Sequence, residues 1–181
     1  FLFFIEINIF QKAFSKGQYL SKKLYHMYAR ELMLAGQKED FDEAVAFFAT
    51  GLSDDRRTLE EHQEAYCVLA KQARLSRNAV EFFKWTTKNL CTQPCAEICC
   101  ELGYFYLEQN DVQEAMVWFT NARTETQAIL DARAAKKIPS VMLAECFEIM
   151  AKENEFLCDY YMEQANEMRK LAEEGNEESV N

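Results

Sequence analysis

The feature that most constrains this chain is a small residue followed four positions later by phenylalanine, which occurs three times at a nearly constant interval. The pairs are Ala44 with Phe48, Ala79 with Phe83, and Ala115 with Phe119, and their alanines lie 35 and 36 residues apart. Such an interval is typical of helical hairpins that stack on their neighbours. Small side chains let two helices approach closely, and the phenylalanines fill the space beside them. The pattern therefore predicts repeated helix pairs.

Composition also favours an all-α fold, because 5 glycines and 2 prolines in 181 residues are too few for many short strands. We expect Gly103 to lie where two helices come closest, Pro139 to precede a helix, and the pair around Asp159 to depart from the pattern. Apolar periodicity predicts helices at 18–35, 41–52, 58–74, 76–90, 95–109, 111–136, 140–152 and 155–174.

The amino-acid sequences of the repeats resemble those of a known family. Leu102, Gly103, Tyr106, Ala115 and Phe119 follow the order of the tetratricopeptide (TPR) pattern. The resemblance extends to YARELMLAG at 28–36, FDEAVAFF at 41–48, PCAEICCELGYFYLE at 94–108 and EAMVWFTNA at 114–122. These segments resemble the TPR region that follows the catalytic domain of bacterial family 2 glycosyltransferases, especially those of Firmicutes. The resemblance implies antiparallel helix pairs stacked as a right-handed TPR-type α-solenoid, with about three clear repeats and one degenerate capping pair. It also implies a module without catalytic residues.

The domain organisation that we expect has three parts. Residues 1–20 form an apolar N-terminal segment, which we interpret as a remnant of a preceding domain, and the alternation from Phe3 to Ile9 allows a strand there. Residues 21–174 form the TPR-like helical repeat domain. Residues 175–181 form a disordered acidic tail.

Charge and cysteine content exclude several classes of function. A net charge of −10, concentrated at 140–181, argues against nucleic-acid binding. The apolar start is too short to span a membrane. Seven cysteines in no disulfide framework predict a reducing, cytoplasmic location. With two histidines, and with Cys95, Cys99 and Cys100 at one helix start, we expect no metal site and no cofactor. Asp54 and Asp55 are interpreted as a solvated turn.

The expected binding surface is the concave face that the first helices of stacked pairs would line. The leading hypothesis is an interaction module that binds a protein or peptide partner, or the catalytic domain of its own parent chain. One alternative is a structural role with self-association as a homodimer, and another is a cysteine-based metal or redox role. The candidate groove residues are Lys23, His26, Arg30, Glu64, Val68, Lys71, Glu97, Cys100, Tyr104 and Glu108, followed in the fourth pair by Glu145 and Glu148.

Overall fold

The computed structural model describes residues 9–10, 12–13, 20–35 and 41–174. Residues 20–35 and 41–174 include eight α-helices and one short 3₁₀ helix, Glu155–Leu157. The described residues at 9–10 and 12–13 are also helical, and no described residue lies in a strand. The all-α class predicted from the sequence is therefore confirmed. Of the strand predicted from Phe3 to Ile9 only Ile9 is described, and it is helical, so the prediction is wrong at that residue; the rest of that segment and the predicted disordered tail lie outside the described residues. The helices are α1 (Lys22–Leu34), α2 (Asp42–Gly51), α3 (Leu59–Leu75), α4 (Ala79–Thr92), α5 (Ala96–Glu108), α6 (Val112–Thr124), α7 (Ala132–Glu153) and α8 (Cys158–Glu174).

The chain divides into two compact units, Phe1–Gln93 and Pro94–Asn181. The first unit contains α1 to α4, and the second contains α5 to α8. In the first unit α3 packs against α4, and in the second α5 packs against α6 and α7 against α8. Within the described ranges, no helix combines the length and the apolarity needed to cross a membrane.

Two of the helix pairs contain the same turn. Asn78 and Asp111 cap the N-termini of α4 and α6, and each side chain accepts a hydrogen bond from the backbone three residues later. The residues before these caps, Arg77 and Asn110, have positive φ angles of 55° and 61°. The N–H groups of both caps donate to a carbonyl five residues back, which closes the end of the first helix. The caps lie 33 residues apart, so these turns give the alignment of the two pairs in sequence.

This register gives three helix pairs one common spacing. A residue on the first helix is followed 12 and 16 residues later by two residues on the second, and all of them are buried. The three sets are Leu32, Ala44 and Phe48; Ala70, Phe82 and Thr86; and Gly103, Ala115 and Phe119.

The predicted alignment of the second pair is therefore wrong. Ala79 is exposed and Phe83 is 40% exposed, whereas Phe82 is fully buried. The reason is that Asn78 fixes where α4 begins, and the start of a helix decides which side chains face its partner. The prediction for Gly103 is confirmed, because a Cβ atom there would lie 2.6 Å from the ring of Phe119.

Aromatic rings fill the space between α1 and α2. Tyr25 and Tyr28 on α1 lie with ring centroids 4.9 and 5.4 Å from that of Phe48 on α2, and Phe47 contacts both tyrosines. Phe10 stacks on Tyr28 at 5.0 Å. At least one residue of the apolar N-terminal segment thus contributes to the core of the first unit.

The end of the second unit differs from the prediction of a long helix at 111–136. α6 ends at Thr124, because the carboxylate of Glu125 accepts hydrogen bonds from the next two backbone N–H groups, and Asp131 caps a new helix. Pro139 lies inside α7 rather than before a helix. Ser140 donates to the carbonyl of Lys136 one turn earlier, which satisfies one backbone acceptor near the proline.

The last pair packs through small residues. Two buried alanines lie seven residues apart on each helix, Ala144 and Ala151 on α7 and Ala165 and Ala172 on α8. A seven-residue interval of small side chains keeps one face of each helix narrow and allows close antiparallel packing. Asp159, near which the sequence pattern placed an alanine, is exposed.

Candidate functional site

Three polar contacts align the first helices of the first unit. Lys22 pairs with Glu60, His26 Nδ1 is hydrogen bonded to Glu64 Oε1, and Lys71 Nζ donates to the carbonyl of Met33. In each contact the partner on α3 lies 38 residues after the partner on α1. A constant offset requires the two helices to run parallel and in register.

Glu64 is the buried carboxylate of this row. Its Oε1 atom is bound to His26, while Oε2 is buried and has no hydrogen-bond partner among the described residues. Burial raises the pKa of Glu64, and the hydrogen bond and charge of His26 only partly oppose this. The His26 side chain is 45% exposed, so a buried carboxyl group lies directly beneath an accessible imidazole.

Glu97 is a buried carboxylate of the second unit. It lies in the first turn of α5 and is 4% exposed. Its Oε1 atom accepts a hydrogen bond of 2.9 Å from the backbone N–H of Leu130, in the segment before α7. Its Oε2 atom is buried and likewise has no hydrogen-bond partner within the described ranges. The backbone near Glu97 is held further by the bond from Ala96 N–H to the carbonyl of Gln127.

Glu64 and Glu97 occupy equivalent positions. They lie 33 residues apart, which is the interval between the two matching turns, and each is on the first helix of its pair. Nearly all buried polar atoms in folded proteins have a hydrogen-bond partner, so two equivalent acceptors without a donor require an explanation. Each of the two carboxylates therefore has one buried acceptor atom that no described donor satisfies.

Two other predicted groove residues of the first unit have structural contacts. Lys71 lies against the last turn of α1, where a cation is favourable because the C-terminal carbonyl groups carry partial negative charge. Val68 is fully buried. Tyr104, in the second unit, is half-buried and packs edge-on against Phe119 at 5.3 Å. Its ring therefore contributes to the core as well as to the surface.

The structure distributes the remaining candidates over a range of exposure. Lys23, Glu108 and Glu145 are exposed, Arg30 is half-buried, and Glu148 is half-buried in an ion pair with Arg169. Cys100 is buried. The candidate residues are divided between the two units. The assignment of all of them to a single groove therefore stays a prediction.

The cysteine cluster has the properties of a packed core. Cys95, Cys99 and Cys100 are buried, and Cys91 is exposed. Burial raises the pKa of Cys99 to about 12 and also raises that of Cys100. Such thiols stay protonated at neutral pH and are poor nucleophiles. No group of three or more metal-ligating side chains comes together within the described part of the chain.

A buried ion pair at the start of α3, the helix that carries Glu64, was not predicted from the sequence. Arg57 Nη1 donates to Glu61 Oε1 at 2.8 Å, and the guanidinium group lies 4.0 Å from the ring centroid of Tyr25. Thr58 and Glu61 form a capping box at the start of α3. The spacing of Thr58 and Glu61 was the available signal, since it marks a helix start. The capping box and the Arg57–Glu61 ion pair together hold the N-terminus of α3, the helix that carries Glu64.

A shallow depression on the second unit was not predicted from the sequence. Its volume is about 470 Å³, and it lies along α6, with Met150 of α7 at one side. It is lined by Met116 and Val117 together with Gln113, Thr120 and Asn121. It lies on a second helix and so is separate from the predicted groove residues.

Comparison with known proteins finds no matching family model, no matching curated protein and no matching solved structure. The resemblance to TPR regions of glycosyltransferases stays a prediction.

Proposed function

We propose that this chain is a non-catalytic, TPR-like interaction module whose first helices bind an extended peptide or protein segment. The common spacing of three helix pairs supports the repeat, and the parallel register of α1 and α3 is the arrangement that stacked pairs require. The sequence resemblance supports a bacterial family 2 glycosyltransferase as the parent protein.

The observation that carries the binding proposal is the equivalence of Glu64 and Glu97. Each is anchored through one carboxylate oxygen and has a second, buried oxygen without a donor. Amide or ammonium groups of a peptide are donors of the kind that would satisfy such an acceptor in each unit. His26, half-exposed above Glu64, adds a second polar contact in the first unit.

The test is peptide selection followed by an isosteric substitution. Peptides are selected from a random display library on the purified chain, and their affinity is measured by calorimetry. Glu97→Gln keeps an oxygen for the Leu130 N–H but can place an amide N–H where the free acceptor was. We expect about tenfold weaker binding, since removing the partner of a desolvated polar group costs about 1–3 kcal/mol.

The matched control is Glu81→Gln, which changes an exposed carboxylate on a second helix and should leave binding unchanged. Failure to select any peptide, or equal affinity for the native chain and Glu97→Gln, would contradict the proposal. The parent enzyme is tested separately by the reading frame upstream of Phe1, which should encode a nucleotide-sugar-binding domain.

A further inference from the structure

The most exposed large apolar side chain among the described residues lies at the end of the last helix pair. Phe156, in the 3₁₀ helix between α7 and α8, is 101% exposed. Leu157 and Tyr160 beside it are 44% and 54% exposed. Exposed apolar groups that are clustered and surrounded by polar ones commonly mark interaction sites. We call this group, with its acidic neighbours described below, the tip surface.

The tip surface is held in place by the fold. The side chain and the carbonyl of Asn154 both accept from the N–H of Leu157, at 3.3 and 3.2 Å, and Asn154 itself is bound to the end of α7. Tyr161 stacks on Phe147 across the pair, at 6.4 Å. Tyr161 thus contacts α7, whereas its neighbour Tyr160 is 54% exposed. Phe156 and Tyr160 are therefore exposed on a hydrogen-bonded turn between two packed helices.

The exposed carboxylates around these apolar side chains favour a positively charged partner. Between positions 152 and 163 there are four carboxylates and one lysine, all on exposed residues. None of the four carboxylates takes part in an ion pair with another described residue. The carboxylates are Glu153, Glu155, Asp159 and Glu163.

We propose that the tip surface docks a lysine- or arginine-rich protein segment that carries an apolar anchor residue. The anchor would cover Phe156 and Tyr160, and the basic side chains would pair with the surrounding carboxylates. A second copy of the chain is disfavoured, because two tip surfaces facing each other would bring like charges together. An anionic membrane is disfavoured for the same reason. This surface is distinct from the Glu64 and Glu97 acceptors and does not depend on their function.

The test uses the full chain and a fluorescent amphipathic peptide made of leucine and lysine, with a leucine–glutamate peptide as its counterpart. We expect the basic peptide to bind and the acidic one not to bind. Phe156→Ala should weaken binding by about fivefold or more, as expected for a central anchor. Glu155→Gln with Asp159→Asn should weaken binding and reduce its salt dependence. Phe156 is fully exposed, so circular dichroism of the variant should match that of the native chain.

Three controls decide between this surface and others. Val80→Ala removes an exposed apolar group of the first unit, Glu167→Gln removes an exposed carboxylate farther along α8, and Glu97→Gln alters the other proposed site. None of them should change the affinity for the basic peptide. Equal binding by Phe156→Ala, or equal losses in the controls, would overturn the proposal. A dimer in sedimentation that dissociates in Phe156→Ala would replace it with self-association.

Discussion

The substitution Gly103→Ala tests the packing that defines the repeat. A Cβ atom at this position would lie 2.6 Å from Cε1 of Phe119 and 2.7 Å from Cδ1 and Cζ. Favourable carbon–carbon contacts lie near 3.5–4.0 Å, so about 1 Å of movement is required. Phe119 is fully buried and packs against Tyr104, so its ring has little room to move.

Two opposing effects set the magnitude. Alanine inside a helix is about 1 kcal/mol more favourable than glycine. Overpacking a close-packed core costs about 1–3 kcal/mol. Three ring carbons lie closer than 3.0 Å to the added atom, so the cost belongs in the upper half of that range. We therefore expect Gly103→Ala to lower the free energy of unfolding of the second unit by about 1–2 kcal/mol.

The assay is urea unfolding followed by tryptophan fluorescence. The chain has two tryptophans, Trp85 in the first unit and Trp118 in the second, so a Trp85→Phe background reports on the second unit alone. In a Phe119→Leu background the ring is absent, and Gly103→Ala should become neutral or stabilising. A destabilisation of the same size in both backgrounds would refute the reasoning, as would a stabilising effect in the native background.

A companion measurement uses the equivalent position of the first unit. Ala70 is fully buried there, and Thr86 stands where the third pair has Phe119. Because Thr86 is smaller than Phe119, the first helix of this pair has room for the methyl group of Ala70 where the third pair has Gly103. Ala70→Gly should therefore destabilise the first unit by about 1 kcal/mol through lost helix propensity, with no compensating relief of strain.

Three further outcomes are expected. Ala79→Leu should change stability by no more than about 0.5 kcal/mol because Ala79 is exposed, whereas Ala115→Leu should cost about 1–3 kcal/mol or more in urea unfolding; the reverse order would contradict the corrected alignment. Burial raises the pKa of Glu64 above its usual 4.5, so its protonated form stabilises the fold below that pH and the benefit is lost as pH rises through the raised pKa. The stability of the native chain relative to Glu64→Gln should accordingly fall with rising pH, and a constant difference would argue against a buried carboxyl group. With a disulfide reagent, Cys91 and Cys158 should react before unfolding and the five buried thiols only after it, and fast reaction of more than two thiols would contradict the described burial.

Much of the fold followed from the sequence because it depends on local spacing. Helix starts near 58, 78 and 111 are marked by Thr58, Asn78 and Asp111, whose side chains accept hydrogen bonds from the first turn, and such caps can be recognised in the sequence. The contact of Gly103 with the second helix was predicted for a similar reason. A glycine inside a strongly apolar helix is unfavourable unless a neighbour comes too close for a Cβ atom.

The alignment of the second pair needed the structure. Alanine and phenylalanine occur four residues apart at Ala79, but a one-residue change in register also brings Phe82 into the core position. Adjacent residues on a helix differ by about 100° in direction, so sequence spacing alone did not decide between them. The turn at Arg77, whose positive φ angle the sequence did not indicate, fixes the direction of α4.

The polar contacts were least accessible to sequence reasoning, because each joins residues that are distant along the chain. His26 meets Glu64 across 38 positions, and Glu97 meets Leu130 across 33. The sequence by itself determined that the chain is helical, where most helices begin and which glycine marks a close contact, since these depend on neighbours within a few turns. Only the tertiary structure decided which carboxylates are buried and which oxygen of each lacks a donor, because burial depends on the helices that pack around them.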